Sequence, residues 1–244
     1  MFDLLIEFYV HAFAVILPAL VVAIFAYNGK LSGMNIARMS RLLVPLIVFL
    51  GLWYALATNL AKAGLLAPPT TIADPPYILA FLFGGTFILW AYGRFTSLGR
   101  QVINGTDQVF LIGFQIPRIM GGVFLVGWAV GVIPWEFALP AGVGDVWAGI
   151  AGLQAARAIR RGDSDAYKKT MQANVIGLLD FLIAIVTGLL TSQGFLHMLS
   201  KDSPNIINDY PLVLFPAFFV PLFIAFHLFS IGKLLQSNQM VPAQ

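Results

Sequence analysis

Cysteine is absent from the 244 residues. Disulfides, thiolate nucleophiles and Cys-ligated zinc or iron–sulfur centres are thereby excluded, and the redox compartment leaves no mark. Charge is scarce too. Asp, Glu, Lys and Arg make up 10% of the chain, against about 25% in soluble domains. A soluble protein this poor in charge would not wet its own surface, and the shortage of polar residues excludes disorder. There are three histidines, and no nucleophile elbow, phosphate loop or paired-acid motif is present. No cleavable leader precedes the first apolar run, which follows Asp3 and carries Glu7.

What is abundant is apolar surface: 59% of residues are hydrophobic and mean hydropathy is +0.85. These values describe an integral membrane protein whose first partner is the lipid bilayer. A spanning helix needs roughly 20 mainly apolar residues. Seven segments qualify, at 4–27, 41–61, 77–97, 108–133, 140–158, 170–192 and 210–235. They predict an all-α, polytopic bundle of seven transmembrane helices in one domain, 1–244. Turn signals separate them, among them Asn28-Gly29, Pro75-Pro76, Pro134 and Arg161-Gly162-Asp163. The eight glycines from Gly113 to Gly149 leave room for a broken helix in the fourth or fifth segment.

Basic residues set the orientation. Lys30, Arg38, Arg41, Arg94, Arg100, Arg157, Arg160, Arg161, Lys168, Lys169 and Lys233 fall on one side, and Lys62 and Lys201 on the other. The alternation places the N-terminus outside and the C-terminus in the cytoplasm. Because charge is distributed by topology, there is no nucleic-acid patch. The basic stretch 157–169 reads as an inner-leaflet anchor. Of Trp53, Tyr54, Trp90, Tyr92, Trp128, Trp135 and Tyr210, several lie near segment ends, and those read as interface anchors.

Ionisable groups inside the bilayer are costly, so they mark either structural pairs or sites. Arg118 and Asp180 each lie ten residues into their segments from the basic side, ~15 Å deep. They are expected to pair, with Gln115, one turn before Arg118, orienting the guanidinium. Asp180 belongs to a small-residue stripe with Gly177 and Ala184, the packed face of a membrane helix. Asp145, ~9 Å deep, and His11, ~10 Å deep, form a second level expected to touch. His227 and Asn174 form an inner level, and His197 sits solvated in an outer loop. Each has a plainer reading: a register-fixing ion pair for Arg118 and Asp180, a helix-start cap for Asp145, a carbonyl-bonded core histidine for His227 and a wet helix end for His11.

Several specific chemistries fail. A covalent retinal needs a buried lysine, but Lys30, Lys62, Lys168, Lys169, Lys201 and Lys233 all lie in loops or at helix ends. A bis-histidine haem is disfavoured because His11 and His227 differ by ~15 Å in depth. Three scattered histidines make no zinc site. An enzymatic role is accordingly disfavoured, with no catalytic residue and no metal ligand set named.

The runs Gln115-x-x-Arg118-x-x-Gly121, Leu139-Pro140-Ala141-Gly142-x-Gly144-Asp145 and Asn174-x-x-Gly177-x-x-Asp180, with Pro216 and Pro221 ahead of His227, resemble an uncharacterised family of bacterial seven-helix inner-membrane proteins. The resemblance covers residues 90–235. It implies a multi-pass protein of a bacterial inner membrane and directs attention to these polar positions, but it supplies no activity. The leading functional reading is binding or translocation of a small solute or proton through Arg118, Asp180, Gln115, Asp145, His227, His11 and Asn174. The alternative is a non-catalytic subunit or assembly factor of a larger membrane complex. The third is a receptor-like sensor, for which the short loops and the tail after Leu235 leave little signalling surface.

Overall fold

An apolar run in hydrocarbon has to satisfy its own backbone groups, and the α-helix does so within one segment. The computed structural model describes residues 2–239, and among them it is all-helical, with no strands. The tail after Leu235 continues past the last of these residues. The helices are α1 (Phe2–Leu31), α2 (Ile36–Lys62), α3 (Tyr77–Phe95), α4 (Ser97–Gly105), α5 (Gln108–Gly113), α6 (Val123–Ala129), α7 (Trp135–Arg161), α8 (Ala166–Thr191) and α9 (Val220–Gln239). A 3-10 segment, Ile116–Gly122, joins α5 to α6, and a π-turn, Phe215–Phe219, leads into α9.

Local chemistry sets the ends. Asn35, Thr96 and Asp107 cap α2, α4 and α5 by accepting from Arg38, Gly99 and Val109 amides. α7 stops at Gly162, whose φ of +69° suits a residue without Cβ. There the Asp163 amide bonds Ala158 O and the Gly162 amide bonds Ile159 O. The short helix α4, between the third and fourth runs, was not expected from hydropathy.

Among the described residues, six stretches are long and apolar enough to cross a membrane: Leu4–Leu31, α2, α3, Gln108–Ala129, α8 and Phe215–Gln236. The expected segment 140–158 lies inside α7, which has the length, 27 residues, but is not one of the six. Its glycines and Asp145 lower its hydropathy, and Glu136 near its start and Arg157, Arg160 and Arg161 near its end shorten the apolar stretch. The fourth run is not one helix. Pro117 has no N–H to give to Gly113, and the Arg118 amide bonds Gln115 O in the tighter i−3 pattern.

Glycines on α7 let this broken run lie close. A Cβ on Gly149 would meet Ile116 O at 3.0 Å, and one on Gly152 would meet Ile112 O at 3.2 Å. Gly142, Asp145, Gly149 and Gly152 share this face, so Asp145 is carried into the seam between α7 and the 3-10 segment. α8 packs along α7, and α9 closes the cluster against α3, α5 and α8. One end of the bundle is tied by the Phe195 amide bonding Pro69 O. The other, basic end is tied by Lys233, which donates to Asn104 O and Thr106 O.

Candidate functional site

The fully buried Arg118 is held by three helices at once. Its Nε donates to Asp145 Oδ1 on α7 at 2.9 Å. Its Nη2 donates to Asp180 Oδ2 on α8. Its Nη1 donates to Gly177 O at 3.0 Å and faces His227 Nε2 on α9 at 3.3 Å. The guanidinium also lies over the Phe181 ring, 3.7 Å from its centroid, in a cation–π contact. The 3-10 segment lies close against α7, where a Cβ on Gly149 would meet Ile116 O at 3.0 Å and Ile119 N at 3.1 Å, and Arg118 lies between those two residues.

Glycine makes the room. A Cβ on Gly177 would run into His227 and Arg118, one on Gly144 into Asp180, and one on Gly121 into Asp145. Of the small-residue stripe expected around Asp180, Gly177 is the member that touches this cluster; Gly144 lies on α7 and Gly121 in the 3-10 segment.

Arginine stays protonated in proteins and has no acceptor. His227 Nε2 therefore accepts from it, and the ring proton is on Nδ1, which donates to Asn174 Oδ1 at 2.9 Å. Asn174 Nδ2 donates in turn to Ser230 Oγ at 2.8 Å, and Gln108 Nε2 donates to the same oxygen at 2.6 Å. A buried polar chain thus runs from the two carboxylates through Arg118, His227, Asn174 and Ser230 to Gln108, at the basic end of the bundle.

The expected Arg118–Asp180 pair is present, but three other expectations need correction. Asp145 does not touch His11. Its helix begins at Trp135, not Pro140, so it lies ten residues in and reaches Arg118. By the same token it is not a helix-start cap. His11 bonds Tyr54 OH through Nδ1 and Tyr210 OH through Nε2, each at 2.7 Å, in a separate cluster. Gln115 does not orient the guanidinium. Its Nε2 donates to Phe223 O at 3.2 Å, and its buried Oε1 has no partner among the described residues.

Among the expected aromatic anchors, Trp53 Nε1 donates to Ala217 O at 2.8 Å. His197 is not free in solvent, because its Nε2 is buried. Ser230, Gln108 and Phe181 were missed by the sequence reading. Ser230 carried a signal, lying one turn after His227 on the same face.

Beside the cluster is a cavity of about 80 Å³, walled by α3, α6, α7, α8 and the π-turn, with Asp145 on its wall. No cluster of three or more metal-ligating side chains occurs among the described residues.

Residues 75–235 match the model of a family described as a domain of unknown function (DUF8737). No curated protein and no solved structure matches the chain.

Proposed function

The chain belongs to the DUF8737 family, and because the whole Arg118 cluster falls inside the matched region, we propose that it binds or translocates a proton or small solute at that cluster. One observation carries this reading. A single guanidinium faces two carboxylates and a neutral imidazole, leaving a net formal charge of −1 in a buried site. An uncompensated charge in a low-dielectric interior costs several kcal/mol, and one proton or one bound cation removes it. The hydrogen-bonded chain through His227, Asn174, Ser230 and Gln108 supports a path toward the basic end. The cavity at Asp145 supports access from the other. Tyr9, the remaining titratable group near Asp145, has its hydroxyl committed to Met120 O at 2.8 Å.

In this proposal α7 is a seventh span. Its Val143, Trp147 and Ile150 form an exposed apolar stripe at i, i+4 and i+7, as a lipid-facing helix side would. The bundle sits in a bacterial inner membrane with the N-terminus outside and the basic loops in the cytoplasm. Protonating one carboxylate loosens its hold on Arg118, and that supplies two states for alternating access.

The test is pH-gradient-driven flux in proteoliposomes, read beside the protonated-carboxyl stretch in infrared pH-difference spectra. Asp180→Asn should insert normally, lose the flux and remove or shift the carboxyl band. Wild-type flux and an unaltered band in that variant would refute the proposal.

A further inference from the structure

The cavity at Asp145 has a particular chemistry. It lies between the start of α3 and the end of α8, away from the basic end, and two polar side chains reach its wall, Asp145 and Asn208. Asn208 already donates to Ser192 Oγ at 2.8 Å. Asp145 keeps 15% of its side chain exposed while Arg118 is sealed. The rest of the wall is apolar, and three of its rings touch. Phe124 meets Phe137 edge-on at 5.2 Å between centroids and Phe215 at 4.7 Å. The π-turn, a form of helix frequent at functional sites, carries Phe215 into this group.

We propose that the cavity takes a hydrophobic organic cation, an alkyl- or aryl-substituted ammonium. Its charge sits beside the Asp145 carboxylate among Phe124, Phe137 and Phe215. Its apolar body lies along Leu79 on α3. Aromatic faces attract ammonium groups, most strongly where water is excluded. The carboxylate repels anions, and apolar walls cannot replace the water shell of an inorganic ion. The inference rests on the net charge of −1 assigned above, and the organic cation takes the place of the proton there.

Phenyltrimethylammonium is the probe, with tert-butylbenzene as a neutral molecule of the same shape. Titration calorimetry is run on the full chain in nanodiscs. Saturable binding of the cation is expected, with the neutral molecule at least about tenfold weaker. Phe124→Leu and Asp145→Asn should each weaken the cation about tenfold, and Leu79→Trp, which takes up the cavity from the α3 side and leaves every member of the ion pairs in the sequence, should abolish binding. Equal binding of the two probes, no binding to the wild type, or undiminished binding to Leu79→Trp overturns the inference. Infrared spectra of the same samples report the carboxyl proton separately, so losing the cation site and losing the proton site are different results.

Discussion

Arg118 and His227 meet at 3.3 Å, guanidinium to imidazole, with the histidine as acceptor. The contact leaves the ring one proton, on Nδ1, facing Asn174. Nitrogen-15 NMR of ring-labelled protein should therefore report the Nδ1-protonated tautomer of His227. Asn174→Leu, which takes away the acceptor, should shift that signal. A doubly protonated ring in the wild type would mean that Arg118 points elsewhere.

The charge imbalance makes the members of the cluster unequal. Removing Arg118 leaves two buried carboxylates with no cation, whereas removing one carboxylate leaves a neutral pair. Arg118→Met should cost about 3–5 kcal/mol, as for a broken buried ion pair. Asp145→Asn and Asp180→Asn should each cost about 1.5–3 kcal/mol, in line with a lost hydrogen bond to a charged group. Thermal unfolding in one detergent gives the order, and equal losses in all three variants would contradict it.

The lack of cysteine makes topology directly measurable, since any cysteine introduced is the sole thiol. Ile72→Cys, in the exposed loop after α2, should react with a membrane-impermeant maleimide on intact cells. Ser164→Cys, between α7 and α8, should react after lysis alone. The reverse pattern would invert the orientation, and labelling of both from outside would remove α7 as a span.

The loop at Thr70–Asp74 provides a pH marker outside the bundle. The Thr71 amide, at 2.8 Å, and the Thr70 hydroxyl, at 2.9 Å, hold the Asp74 carboxyl below its ordinary value. A depressed carboxyl contributes stability above its unfolded-state value and loses it as pH falls through the folded one. The Thr71 amide resonance should therefore move with a midpoint below the usual aspartate range of about 4. In Asp74→Asn the movement should vanish.

Much of this architecture was legible because the bilayer permits so few solutions. Runs of apolar residues gave the helices, and the rarity of buried charge singled out Arg118 and Asp180. Asp145 was placed at the wrong depth because Pro140 reads as a helix start. In the structure the proline lies inside α7, which begins at Trp135. Gln115 was misjudged because a face shared with Arg118, which positions three apart keep in a 3-10 turn as well, does not fix where a long side chain bonds: its amide reaches across to Phe223 O on α9 instead. The link from His227 to Asn174 and Ser230 depends on how α8 and α9 cross, and single-helix periodicity does not carry that information. The Phe124, Phe137 and Phe215 group was hidden for a simpler reason: 21 phenylalanines offer no contrast against one another.

The interruption at Ile116–Gly122 divides the fourth run into two short rods, and Arg118 sits at their joint. Swinging one rod against the other moves the guanidinium, and with it every bond to α7, α8 and α9. Electrostatics and mechanics thus share one residue, so the joint cannot bend while its counter-ions stay as they are.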